Sequence, residues 1–433
     1  MVGGMPQQPR DFLLALFRTA VAAAHPASFL PPLLPQPPKG RIVVLAAGKA
    51  AGAMAEVTEG FYLDTRKLPR ERLAGVAVAR HGYGRPTRVV DMIEAGHPIP
   101  DEAGLQAAQR ALALADGAGR DDLVLVLMSG GASANWIAPA EGVSFADKQA
   151  VTRALLRSGA NISEINCVRK HLSRIKGGRL ARYAHPARLL TVAISDVPGD
   201  DPSAIGSGPT VPDPTTLADA RAIVAKYRLA LPGSVTRALN DANNESPKPG
   251  DAVFAGTAFK LAARPADALG AAQAAVAAAG YDCVPLGDRV EGEAREVAAS
   301  HAALARTLRA EGRRAVILSG GELTVTIKGQ GRGGPNQEYA LALAVALSGM
   351  PGVAALAADT DGTDGGSGSA SDPAGAFIDG GTAARAKALG LDAAAFLADN
   401  DSTGFFGRLG DLVVPGPTFT NVNDFRAIVV DRI

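Results

Sequence analysis

The run Leu123-Val124-Leu125-Val126-Leu127-Met128 contains no polar residue and stops abruptly at Ser129-Gly130-Gly131-Ala132-Ser133. A continuous apolar stretch of about six residues closed by glycine reads as a strand buried on both faces, the kind found in helix-covered parallel sheets. The pattern recurs where Ala315-Val316-Ile317-Leu318 runs into Ser319-Gly320-Gly321-Glu322. Ligands of open α/β sheets bind beyond the carboxyl ends of such strands. Glycine lets main-chain N–H groups approach a ligand closely and serine adds a hydroxyl, a chemistry suited to anionic oxygens. Two such turns predict two lobes facing one cleft; turns that serve chain reversal alone are the alternative.

A chain of 433 residues exceeds what one core sustains, so two domains are expected. Lys and Arg number 44 against 43 Asp and Glu, which leaves no bulk charge for nucleic acid or a membrane surface. Cys167 and Cys283 are isolated, so neither a disulfide framework nor a zinc site is supported. Residues 12–24 read as an amphipathic first helix rather than a signal-peptide core, because Arg18 interrupts the run. The expectation is a cytoplasmic monomer or homodimer acting on small molecules.

Strand-like runs alternate with helical stretches through the N-terminal half, which implies βαβ units and a mostly parallel sheet. The strands are Ile42–Ala46, Ala74–Ala79, Leu123–Met128 and Leu189–Ile194; the helices begin near Lys49 and cover 102–115, 145–158 and 162–183. Prolines 26, 31, 32, 35, 37 and 38 predict a stiff extended connector ahead of the first strand. The polar stretch from Asn240 to Gly250 is the expected junction, giving domains 1–243 and 250–433. Beyond it the expected elements are strand-like 253–255, a helix over 262–279, strand 283–286, a helix over 292–310, strands 315–318 and 323–328, a helix after Pro335, strand 353–358, a glycine-rich loop over 361–381, and a last strand at 427–430.

Several motifs could carry chemistry. Gly48-Lys49 joins the first strand to a helix start, where free N–H groups and the helix dipole favour an anion; Lys49 is a candidate phosphoryl-contacting cation or a solvated helix-start lysine. Asn161 to Gly178 holds Arg169, Lys170, His171, Arg174 and Lys176 in a helical stretch capped by Gly177-Gly178, with Lys170 and Arg174 on one face. That basic face suits an acidic substrate or compensates the helix dipole. Asp196 follows a strand and opens a loop through Pro198, Asp200 and Asp201, well placed to hold Mg²⁺ or a hydroxyl. Gly329-Gln330-Gly331-Arg332-Gly333-Gly334 fits GxGxxG between a strand and a helix, with Asp359 following the next strand, which is most of a dinucleotide fingerprint. Asp361 and Asp364 could support a hard cation or belong to a carboxylate-rich turn.

Taken in order, Gly48-Lys49, Ser129–Ser133, Arg169-Lys170-His171, Lys176-Gly177-Gly178, Ser195-Asp196-Val197, Gly206-Ser207-Gly208-Pro209-Thr210, Gly320-Gly321-Glu322, Asn336-Gln337-Glu338, the Thr360–Gly365 segment and Thr420-Asn421-Val422-Asn423-Asp424 resemble the class II glycerate 2-kinases, whose C-terminal part is the MOFRL domain. The resemblance implies a Rossmann-like N-terminal domain, a C-terminal α/β domain of MOFRL type, an active site in their cleft, and ATP- and Mg²⁺-dependent phosphorylation of the 2-hydroxyl of D-glycerate. It implies catalytic roles for Lys49 and Asp196 and substrate contacts from Ser129, Gly130, Gly131, Ser133, Arg169 and Lys170. Nucleotide contacts are expected from Gly256, Thr257, Gly320, Gly321, Glu322, Gly331, Gly334, Asn336 and Glu338, and metal ligands from Asp196, Asp361 and Asp364. Pro335 stands where many relatives have an arginine, and 365–371 is longer than usual, so Arg332 or another cation would have to supply that charge. Relatives with a hydroxypyruvate reductase label make an NAD(P)H-dependent reductase the runner-up, ahead of a two-lobed binding protein without turnover.

Overall fold

The computed structural model describes residues 8–197 and 199–431, so Pro198 and both chain ends lie outside it. By its internal contacts the chain divides into two units. One runs from Leu30 to Ala262; the other combines the segment up to Phe29 with Ala263 onward. The expected junction at 240–250 therefore falls inside the first unit, and the first helix belongs with the C-terminal half.

The first unit carries a six-stranded sheet of β1 (Ile42–Ala47), β2 (Leu73–Arg80), β3 (Asp91–Ala95), β4 (Leu123–Met128), β5 (Arg188–Ile194) and β6 (Thr257–Ala263), in the order β3-β2-β1-β4-β5-β6. Neighbours among β1 to β5 all pair in parallel. This is the strand order of the doubly wound nucleotide-binding folds, and it reverses between β1 and β4. Both strands are buried along their whole length, as their unbroken apolar sequences require. On one face Val43, Leu45 and Ala47 join Val124, Val126 and Met128 beneath the helix Glu102–Asp116, whose Ala107, Ala108, Ala111 and Ala115 share that core. The other side of β1 and β2 takes the helix Ala51–Glu59.

Three expectations for the chain up to residue 262 need correction. The proline-rich connector forms short helical turns at Pro26–Phe29 and Pro31–Leu33 before extending, because proline also suits the first turn of a helix. The basic stretch is two helices, Ile162–His171 and Arg179–Ala184, with Gly177 and Gly178 at φ of 58° and 77° in the link between them. Residues 252–254 form a single 3₁₀ turn, and the sheet's last strand starts only at Thr257.

The second unit is built on β7 (Asp282–Pro285), β9 (Ala315–Ser319), β11 (Val353–Asp359), β12 (Gly375–Asp379), β13 (Leu412–Val413) and β14 (Asp424–Val430), ordered β13-β12-β11-β14-β9-β7; β8 (Gly292–Glu293) and β10 (Leu323–Thr324) make a separate pair. Here the expected parallel pattern gives way to a mixed sheet. Only β7 and β9 run parallel, while β14 returns from the C-terminal end to lie antiparallel between β9 and β11. The supposed loop over 361–381 contains β12, and the strand expected over 323–328 is reduced to two residues. Helices Ala294–Ala310 and Pro335–Ala346 pack a core of Ala298, Ala302, Tyr339 and Leu343 against Ile317, Ala355 and Ile428. The first helix, Pro9–Ala23, packs against the helix Pro265–Ala278 and against β11 and β14; Phe17 meets Phe425 edge-on with ring centroids 6.0 Å apart. Among the described residues no helix is long and apolar enough to cross a membrane.

Candidate active site

Because β1 and β4 are parallel neighbours, the turns that follow them share one edge of the sheet at the point where strand order reverses. The two turns are laced together. Lys49 N donates to Gly130 O at 2.8 Å, Ser129 N donates to Ala47 O at 3.1 Å, and Ala50 N donates to Ser129 Oγ at 2.9 Å. Ser129 is thus buried and caps the start of the helix Ala51–Glu59, while half-buried Lys49 stands at that start. Gly48 adopts φ 114°, and a Cβ there would lie 2.4 Å from Ser129 Oγ and 2.7 Å from Gly130 O. Gly131, at φ 86°, is flanked by His97 and Lys49: an added Cβ would approach His97 Nε2 to 3.1 Å and Lys49 Cγ to 3.4 Å. His97, just beyond β3, was invisible as a candidate in the sequence. Asp196, half-buried, follows β5 at the same edge. Lys49, Gly130, Gly131, Ser133 and Asp196 therefore share one strand-end edge of a single unit.

The basic segment behaves differently from its expected single face. Lys170 is committed to Asp213, Nζ to Oδ1 3.5 Å, with both side chains buried. Arg174 lies past the helix and donates from Nε to Pro139 O at 3.1 Å. His171 is a core residue: Nδ1 donates to Cys167 O at 2.9 Å and Nε2 is 3.0 Å from Glu245. The sequence did not single out Lys176 for the Ser129–Ser133 turn, yet its fully buried Nζ donates to Ser133 O at 2.9 Å. Burial drives Lys176 well below the usual lysine range, and Arg169 and Lys148 add to the effect. Arg169 is half-buried, and burial lowers its pKa as well. Lys176 therefore serves the Ser133 side of the turn as a hydrogen-bond donor, and half-buried Arg169 is the nearby guanidinium that carries positive charge there.

The second unit employs most of its candidate nucleotide residues internally. Every amide from Lys328 to Arg332 already donates to residues 399–401: Lys328 and Gly329 to Asn400 Oδ1 (2.8 and 3.0 Å), Gln330 to Asp399 Oδ1 (2.9 Å), Gly331 to Asp399 O (2.8 Å), and Arg332 to Asp401 Oδ1 (3.2 Å). A Cβ on Gly331 would lie 2.3 Å from Asp401 Cβ, and one on Gly334 would lie 2.4 Å from the Asp364 carbonyl carbon. The glycines of the GxGxxG match thus admit the protein's own chain, and a pyrophosphate would find no free N–H group in 328–332. Likewise, a Cβ on Gly321 would lie 2.3 Å from Val290 O, and Gly320 N donates to Gly287 O at 2.9 Å. Glu322 remains exposed.

Asp364 caps the helix Pro335–Ala346. Its carboxylate accepts from Asn336 N at 3.0 Å and Gln337 N at 2.9 Å, and from both side-chain amides at 3.2 and 3.1 Å. Burial raises Asp364 to about 7 against the lowering effect of those amides, with Asp424 adding to the rise. Asn336 bridges Asp364 and Asp424, and Glu338 is buried against Arg295 and Asn400. Asp361 is buried, accepting from Thr363 N at 2.8 Å. Asp364, Asn336 and Glu338 thus make hydrogen bonds and ion pairs within the unit. Gly256 and Thr257 sit in the other unit, at the head of β6. Among the described residues no group of three or more His, Cys, Asp or Glu side chains is arranged to hold a metal.

The fold defines a two-unit α/β protein, and its candidate site lies at the switch point of the first unit's sheet. Residues 12–240 match a family described only as a domain of unknown function, DUF4147, and residues 315–424 match the MOFRL family. Over 97% of its length the chain is 36% identical to a D-glycerate 2-kinase of Thermotoga maritima, covering 98% of that protein. The crystal structure of a glycerate kinase from the same organism superposes with a TM-score of 0.85, covering 97% of this chain and 99% of that one at 36% identity. A protein of Agrobacterium vitis, named provisionally as a hydroxypyruvate reductase, is 48% identical over 97% of this chain and 94% of its own. The chain belongs to the class II glycerate 2-kinase family, the MOFRL-domain glycerate kinases.

Proposed function

We propose that the chain phosphorylates D-glycerate at the 2-hydroxyl with ATP, giving 2-phospho-D-glycerate and ADP. The supporting observation is the laced pair of turns at the switch point, where Lys49 and the Ser129–Gly131 segment meet at the start of the helix Ala51–Glu59. Phosphoryl transfer asks a protein for positioning and for neutralisation of charge spread over oxygens, and this edge is made of donors and a cation. The Gly131–Ser133 segment would receive the glycerate carboxylate, with Arg169 supplying positive charge behind it and Lys176 holding Ser133 O in place. Lys49 would face the transferred phosphoryl group.

Mg²⁺ commonly reaches such sites through one or two carboxylates and the nucleotide phosphates, where it neutralises charge. Asp196, half-buried at the strand-end edge, fits that modest demand better than Asp364, whose oxygens are taken up by a helix start. Within the second unit, exposed Glu322 is better placed for a nucleotide contact than the saturated 328–332 loop. Occupation of those amides by residues 399–401 also weighs against the reductase reading, which rests on that loop.

The test is ³¹P NMR of the products from ATP and D-glycerate, beside NADH absorbance with hydroxypyruvate. The expected outcome is a 2-phosphate ester and no NADH loss. A 3-phosphate ester would correct the regiochemistry, and NADH consumption without an ester would overturn the reading.

A further inference from the structure

Gly206, Ser207 and Gly208 form three consecutive left-handed residues, with φ of 57°, 63° and 59°. For the two glycines this is free, but a serine held there is strained. Strain of this kind persists where the surroundings over-determine a conformation, and it gathers at functional sites. The surroundings are specific. Gly177 N donates to Ser207 O at 3.0 Å and Gly178 N to Gly208 O at 2.7 Å, while a Cβ on Gly206 would strike Met128 Cε at 2.2 Å. The strained residue is fully buried, and its hydroxyl lies 2.8 Å from that of half-buried Ser133.

We infer that Ser207 is a positioning residue: by donating its hydroxyl proton to Ser133 Oγ it turns the Ser133 proton outward, toward an oxygen of the acceptor's carboxylate. A hydroxyl carries one proton and two lone pairs, so accepting from Ser207 leaves Ser133 free to donate to an anion. Lys176 holds the same residue from its other side, through Ser133 O. The two restraints fix both the main chain and the hydroxyl rotor of the one turn residue that combines a side-chain donor with partial exposure. A glycine at 207 would satisfy the backbone better, so it is the hydroxyl that calls for a serine. This inference rests on the glycerate kinase reading above.

Ser207→Gly and Ser207→Ala both delete the hydroxyl, and only the first relieves the backbone. Both variants are expected to raise the KM for glycerate about fivefold, the worth of one hydrogen bond, with the KM for ATP unchanged. Ser207→Gly should melt at or above the wild-type temperature and Ser207→Ala below Ser207→Gly. An unchanged glycerate KM in Ser207→Gly, or equal changes in both KM values, would overturn the positioning role. Wild-type protein that makes no glycerate phosphate in the same assay would overturn the underlying reading, and the inference with it.

Discussion

The main-chain nitrogen of Lys49 donates to the carbonyl oxygen of Gly130 at 2.8 Å, which ties the end of β1 to the end of β4 at the point where the sheet reverses its strand order. Lys49 is thereby fixed at its backbone while its side chain lies along Gly131. A cation on a rigid anchor can be aimed, and aiming is most of what a phosphotransferase contributes.

Replacing that cation should be severe. Lys49→Ala is expected to lose on the order of a thousandfold in kcat, the scale set by charge-neutralising groups in phosphoryl transfer, with an unchanged circular dichroism spectrum. Steady-state ADP release measures it, and turnover within a few-fold of wild type would remove Lys49 from the chemistry.

The lacing itself can be broken without touching a functional group. Gly48→Ala forces a Cβ into Ser129 and Gly130 at a φ of 114°. It is expected to cost about 2 kcal/mol or more from backbone strain and steric conflict and to abolish turnover. Denaturant unfolding gives the first number, and a fully stable variant would contradict the close approach.

Asp401→Ala tests the saturated loop. Asp401 Oδ1 accepts from Arg332 N and from Gly404 N, the latter capping the helix Ser402–Leu409. Loss of the cap should cost about 1 kcal/mol and leave NADH unbound, as seen by fluorescence titration. Binding of NADH to wild-type protein would show that the 328–332 amides can be released for a dinucleotide.

Asp364 imposes a pH dependence of definite sign. Burial raises its folded-state pKa to about 7, above the ordinary aspartate value of 3.8. Between those values the folded protein binds more protons than the unfolded chain, so this group's contribution to stability falls as pH rises through the window and levels off above it. Urea midpoints should therefore decline less between pH 5 and 8 for Asp364→Asn than for wild type. Parallel declines would place the titration elsewhere.

The all-apolar runs of β1, β4 and β9 announced buried strands, and the small-residue turns behind β1 and β4 do lie side by side at one edge of the first sheet. Strand direction was not legible in the second unit, because a strand covered on both faces looks the same whichever way its neighbours run, and β14 arrives from far along the chain. β6 was missed because its residues are only partly covered at the sheet margin, and β12 because it hides behind Gly365, Gly366 and Gly368. The glycines at 329–334 illustrate the deeper limit: their small size answers residues 399–402 and 364, contacts that no local pattern encodes. Lys176 and Ser207 escaped for the same reason, since their partner, Ser133, lies far away in sequence.

The helix Pro9–Ala23 finds its packing partners only after Ala263, in the helix Pro265–Ala278 and in β11 and β14. The partners that bury Leu13, Leu16 and Phe17 in the folded unit are therefore made only after all of Leu30–Ala262. The last strand to emerge, β14, carries Phe425, against which Phe17 rests. A nascent chain of this protein thus cannot complete its second unit until β14 has been made.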